Sequence, residues 1–583
     1  MNSRVALCAL CFVVACDSAK EEDSSKKDAG ASDKAEAKTD KDEKPSEDVK
    51  PSTEKDEKPS EAPDTAASKE CPKELKGAQE GDVVITKACG AVPVTATYKV
   101  NGSTLTLEAG ATLEFADGAE LQVGYYEPAK LIVQGTASEP VMMTSKGDKA
   151  AGVWKGVRLY SKAARSSVTG LVLEYAGEDK HGALKVDAPD VRVEKSKFQH
   201  LKGAGIVTDR EASFAAFTDN SFTDVGKVAI RLPANVVGGL GIGNTYDEAA
   251  RIVVPGGSIK DDAHWMAQGV AVQIGGEVKV NGEDGARAKL SLDPGTRLEF
   301  GGSGRIVTGY YGEATLEARG SKDKPIVFTS SDREEAGSWR GVFISGKGEG
   351  DFEHVEFNHG GKDEREGVLK ADGAARLSVE QCTFNKNTTG VVLRGAEVKL
   401  TKFANNTFTA TPGSVRVNAA VMGGVGDGNT YDAGSVVVVE NGRVNADATW
   451  ALQPGAQVQM DGNLQVSGGK LELPAGYTLA FKDGASMTVG YYDTGSLIAQ
   501  GTADKPITFS GQRDEAGAWK GLSFHSKASA NDVKNLVLRN TAAPALKIDK
   551  SASGTVDGVK CETCAGEVVK KADGSSFEVK NAQ

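Results

Sequence analysis

The 583-residue chain has only 6 histidines, 7 methionines and 8 cysteines. Of the histidines, His181, His200, His264, His354, His359 and His525, only His354 and His359 are near each other. Five residues apart in a strand-and-turn context, they point to opposite faces or different turns, so no metal-ligand pair is expected. No loop spaces Asp and Asn as an EF-hand does. Neither a metal nor another cofactor is expected. An excess of basic residues is also missing: 81 Asp and Glu outnumber 69 Lys and Arg, for a net charge of -12. That balance argues against nucleic acid as a partner and against direct adsorption to anionic lipid. The longest apolar run, residues 5–15, is too short for the ~20 residues that span a bilayer as a helix. Beyond residue 70 no stretch keeps a helical period. What is abundant is glycine, 70 residues of it.

Arg4, the apolar run and a cysteine flanked by small residues have the layout of a secretion signal. Val13, Val14, Ala15 and Cys16 resemble the lipobox of bacterial lipoproteins. The resemblance implies that residues 1–15 are removed and that Cys16 carries lipid and tethers the chain to a membrane. Asp17 resembles an inner-membrane retention signal in some bacteria. The destination is therefore the periplasmic face of the inner membrane or the outer membrane and cell surface. From 16 to 70 the chain is almost entirely Lys, Glu, Asp, Ser, Ala, Pro and Thr. With almost no apolar side chains to bury, it is expected to be a disordered tether.

Three later segments superimpose. Gly124-Tyr125-Tyr126, Pro140 and Gly152-Val153-Trp154-Lys155-Gly156 recur as Gly309-Tyr310-Tyr311, Pro325 and Gly337-Ser338-Trp339-Arg340-Gly341. They recur again as Gly490-Tyr491-Tyr492, Pro506 and Gly517-Ala518-Trp519-Lys520-Gly521. A second marker, Gly243-Asn244-Thr245-Tyr246-Asp247 followed by Trp265, returns 185 residues later as Gly428-Asn429-Thr430-Tyr431-Asp432 and Trp450. The body thus reads as about 2.7 repeats of ~183 residues, with units at 71–262, 263–447 and a truncated 448–583. Inside each unit, short alternating strands such as Thr104–Glu108, 111–115 and 130–133 are separated by Gly, Asp-Gly, Pro-Gly or Asn. Such strands bury their inward faces only by stacking coil on coil, which makes an all-β solenoid.

Pro325-Ile326-Val327-Phe328-Thr329-Ser330 leading to Trp339, and Val379-Glu380-Gln381-Cys382-Thr383-Phe384-Asn385-Lys386-Asn387, resemble the right-handed parallel β-helix of the pectin-lyase-like superfamily. The same pattern returns as Phe403, Asn406 and Phe408, and as Phe217, Asn220 and Phe222. The resemblance implies inward Phe and Cys and ladders of Asn. Members that hydrolyse polygalacturonan carry Asn-Thr-Asp, Asp-Asp, Gly-His-Gly and Arg-Ile-Lys. Here Asp261-Asp262 is the only Asp-Asp, and Gly-His-Gly and Arg-Ile-Lys are absent, so no catalytic residue is carried over.

In an exported chain Cys71 and Cys89 are expected to form a disulfide near the start of the body, and Cys561 and Cys564 a local one. The glycine-rich 238–243 and 423–428 read as turns. The charged Glu178-Asp179-Lys180-His181 and Asp363-Glu364-Arg365-Glu366 read as solvated loop tips, and Trp154, Trp339 and Trp519 as packing. The candidate ligand residues are Tyr125, Tyr126, Tyr310, Tyr311, Tyr491 and Tyr492, beside Gly turns. Two arrangements are open: rings that stack on sugar, or one ring of each pair packed into the coil. The expected function is a non-enzymatic lipoprotein that binds or displays, with polysaccharide as the partner class. The alternatives are a polysaccharide lyase or hydrolase, and a purely structural spacer.

Overall fold

In Thr104–Glu108 the two leucines are buried while Thr104, Thr106 and Glu108 alternate outward. That period of two repeats through the chain and sets one face of each strand against a common core. The computed structural model describes residues 70–583, and the candidate signal segment, Cys16 and the tether up to residue 69 lie outside them. Among the described residues the only helices are three short 3-10 turns. The described residues form one unit, with every strand ladder parallel and a single apolar core running through it. The body is a parallel β-helix.

Each coil has three strands, as in Thr104–Glu108, Thr112–Phe115 and Glu120–Val123. We call the columns that these start the first, second and third faces. Residue Leu105 stacks on Leu131, Leu113 on Met143 and Leu121 on Val157, each from one coil to the next. The second face carries an aromatic column: Phe198, Phe222 and Tyr246 in the first repeat, and Phe357, Phe384, Phe408 and Tyr431 in the second. Inward Phe and Cys382, expected from the resemblance, are both present. Burial pushes the Cys382 thiol up to about 12, so it stays protonated and acts as a small apolar group.

The expected asparagine ladders are present too. Buried Asn406 accepts the Cys382 N–H at 3.0 Å, and its amide donates to the Val379 carbonyl and to Asn429 Oδ1, both at 3.1 Å. Asn220 does the same work between Ser196, Val193 and Asn244. Asn406→Ala should cost about 2 kcal/mol, because two buried backbone groups lose their partner. Urea unfolding checks this, with the exposed Asn463→Ala as the comparison.

The Asn-Thr-Tyr and Trp markers sit where one repeat passes into the next. There the first face is interrupted by a 3-10 turn, Ala234–Gly239 in one repeat and Met422–Gly424 in the next, in or beside the glycine-rich stretches read as turns. The aromatic column of the first repeat stops at Tyr246, whose hydroxyl donates to Gln268 Oε1, as Tyr431 does to Gln453 Oε1. Stacking continues but the faces shift. The third-face strand Val228–Arg231 pairs with Arg251–Val254, then Val272–Ile274, then Arg297–Phe300, which is the second-face strand of the next repeat. A new third face starts at Gly257–Ile259. The next junction repeats the move, since Gly413–Asn418 leads through Val436–Val444 and Gln457–Val466 to Thr478–Phe481.

The tryptophans pack as expected. Trp154, Trp339 and Trp519 are fully buried and stack on Phe115, Phe300 and Phe481. Disulfides join Cys71 to Cys89 and Cys561 to Cys564.

Candidate functional site: a repeated tyrosine corner

Among the described residues eight large hydrophobic side chains are exposed, and six of them are the paired tyrosines; the others are Ile242 and Leu452. Exposure of the six runs from 49% for Tyr125 to 77% for Tyr311. Packing of one ring of each pair into the coil is therefore ruled out, since neither member is buried. The physical reason is position: each pair follows the last inward residue of a third-face strand, and the chain there turns a corner instead of alternating.

The corner is held from three sides. Gly124, Gly309 and Gly490 take φ of 71°, 78° and 68°, which turns the chain outward just before the rings. From the coil before, Asn101 Oδ1 accepts the Tyr126 N–H at 2.8 Å, Asn281 Oδ1 that of Tyr311 at 3.1 Å, and Ser467 Oγ that of Tyr492 at 3.2 Å. From the coil after, Lys162 Nζ donates to the Tyr126 carbonyl at 2.6 Å and Lys527 Nζ to that of Tyr492, and Lys347 occupies the same place in the second repeat. The two rings of each pair meet edge to face, with centroids 4.5, 4.7 and 4.7 Å apart. Exposed rings fixed in one geometry lose little entropy when a ligand stacks on them.

A polar ladder climbs from each corner along the third face. On the next coil stand Tyr160, Ser345 and His525, with Tyr160 edge-on to Tyr125 and His525 edge-on to Tyr491, both at 4.7 Å. One coil further, Leu184-Lys185-Val186-Asp187, Leu369-Lys370-Ala371-Asp372 and Leu546-Lys547-Ile548-Asp549 each present an outward lysine and aspartate. These pair at 2.6, 3.2 and 3.9 Å. Sequence reasoning missed the ladder, although the triple recurrence of Leu-Lys-x-Asp was a usable signal.

The repeats differ in what fills the ladder. In the second, a cleft of about 350 Å³ is lined by Tyr310, Tyr311, Arg305, Phe343, Lys370 and Asp372. Arg305 and Lys370 lie 5.6 and 5.4 Å from the centre of the Phe343 ring. In the third, Arg443 lies 4.6 Å from the centre of the Tyr492 ring. In the first, Arg158 bonds to Glu120 and, at 2.8 Å, to Glu178, which also holds His181 at 3.0 Å. Glu178 and His181 are thus tied to the third face, while Asp179 and Lys180 between them are exposed, as a solvated loop tip requires. Beside them Lys185 reaches Asp187 at 2.6 Å and Asp209 at 2.8 Å. Burial pushes the Asp187 carboxyl above its ordinary range. Asp209, hydrogen-bonded by Lys185, is held below it.

A comparison with curated proteins finds no match for the chain. Residues 82–184, which include the first tyrosine corner, match the family model described as a pectate-lyase like beta helix domain. The body is a repeated parallel β-helix, and 82–184, in its first repeat, is the part that is similar to the pectate-lyase like beta helix domain.

Proposed function

We propose that the chain is an exported lipoprotein, held to a membrane by lipid on Cys16, whose body binds polysaccharide without cleaving it. The observation that carries this is the set of six exposed tyrosines, presented three times on corners braced by the coils before and after. Aromatic faces stack on the apolar faces of sugar rings. The ladder beside them offers ammonium, guanidinium and carboxylate groups together. Hydroxyls both donate and accept, so a sugar satisfies all three at once. An apolar partner would strand those charges, and a polyphosphate would meet the carboxylates. A purely structural spacer has no use for ordered, exposed rings.

Binding is tested with the full-length chain on a glycan array and in polysaccharide pull-downs, alongside Tyr126→Ala/Tyr311→Ala/Tyr492→Ala. Affinity should fall about tenfold per site, as removal of a stacking ring implies. The melting transition should barely move, because exposed side chains contribute within about 0.5 kcal/mol. No binding across a broad panel, or equal binding by the variant, overturns the proposal. Lipidation is tested by the mass of the mature N-terminus and by the release of Cys16→Ser from membranes.

Cleavage of the bound glycan is the competing reading, favoured by one observation. Asp209 stands where the other repeats have Arg394 and Ala572, so only the first repeat sets two carboxylates on one lysine. A raised and a lowered carboxyl side by side suit acid and base work. Release of reducing ends by the chain, lost in Asp187→Asn, would establish it.

A further inference from the structure

We infer that the three tyrosine corners face different ways around the body, so that the chain bridges separate polysaccharide strands rather than lying along one. This rests on the polysaccharide proposal above. Seven parallel pairings connect the strand before Tyr125 to Arg297–Phe300. Tyr310, however, follows the neighbouring strand, Arg305–Thr308, which belongs to the new third face that began at Gly257–Ile259. Another seven pairings lead from Arg305–Thr308 to Thr478–Phe481. Tyr491 follows Met487–Val489, which stacks instead on Leu464 to Val466 and, below them, on Gly442 to Val444.

Each repeat therefore moves its tyrosine corner on by one face out of three. It also rises seven coils, roughly 34 Å at the ~4.8 Å spacing of paired strands. A stiff polymer laid on one corner runs past the next on the wrong side of the body. A second strand can dock on each of the other two corners without interference. The shift is built into the sequence, because both junctions carry the same Asn-Thr-Tyr and Trp markers and the same 3-10 interruption.

The experiment uses the full-length chain with two probe pairs: cellohexaose with hydroxyethyl cellulose, and hexagalacturonate with polygalacturonate. Calorimetric titration with the binding hexamer should give three sites per chain. Each double variant, such as Tyr310→Ala/Tyr311→Ala, should remove one. The long polymer should bind each site within about tenfold of the hexamer, where sites aligned on one strand would gain roughly 10²- to 10⁴-fold. Light scattering with the long polymer should rise to a maximum near equivalence and fall in protein excess. A variant keeping one pair should bind yet leave scattering at its starting level. A single site, a gain of 10²-fold or more on the long polymer, or no rise in scattering overturns the bridging inference while leaving binding intact. Failure of all four probes to bind, together with no binding across the glycan array, overturns both.

Discussion

Trp339→Ala should lower stability by about 3–5 kcal/mol, the range for truncating a fully buried large aromatic. The indole lies parallel to Phe300 at 4.1 Å, and its N–H donates to the Asn358 carbonyl at 2.8 Å. Alanine removes the ring, leaves a cavity between coils and orphans a buried acceptor. Trp339→Phe separates these effects: a six-membered ring still stacks on Phe300, and the loss should shrink to the 1–3 kcal/mol of one unpaired carbonyl. In a solenoid each coil touches only its neighbours, so the damage should be local. Native-state hydrogen exchange should show faster exchange in Arg297–Phe300, Ile326–Ser330 and Val355–Asn358 and little change in Thr104–Glu108. Uniform loss of protection along the whole body would show that the coils unfold as one unit and that neighbour-only coupling is wrong.

How far the sequence discloses the molecule depends on whether a residue answers to its own strand or to another coil. The inward Leu105 and Leu107, the tryptophans and the Asn220 and Asn406 ladders obey a period of two and a repeat of ~183 residues, both visible in the chain itself. Outward residues have no such constraint. Lys185 is legible as a surface lysine, but its second partner, Asp209, is 24 residues away, one coil further on. Arg158 meets Glu120 and Glu178 across three coils, so Glu178-Asp179-Lys180-His181 read alone shows a solvated tip and not the tie of Glu178 to the third face. The tyrosine corners were found as a repeat, yet their exposure was undecided, because alternation stops where the chain turns. The face shift at each junction was not legible at all. It consists of which strand lies beneath which, and the Asn-Thr-Tyr marker announces a place without saying what happens there.

Gly490→Ala should damage both stability and binding, and should cost more stability than any change to the rings it orients. An alanine Cβ there would lie 2.0 Å from the Ala528 nitrogen and 2.3 Å from the Lys527 carbonyl carbon, both backbone atoms of the next coil. Its φ of 68° adds the left-handed penalty of about 1–2 kcal/mol. Gly484 is the control: its φ is 70°, but nothing lies within 4 Å of an added Cβ. Gly484→Ala should therefore cost only that penalty, whereas Gly490→Ala should cost about 3–5 kcal/mol, because two coils must separate at the corner. The same movement pulls Tyr491 and Tyr492 away from Ser467 Oγ, which holds the Tyr492 N–H, and from the Lys527 ammonium. Ligand titration of Gly490→Ala should then count one site fewer even though all six rings remain. If the variant is destabilised but still binds at three sites, a tyrosine pair does not need its corner, and the bracing by Asn101, Asn281 and Ser467 serves the fold alone.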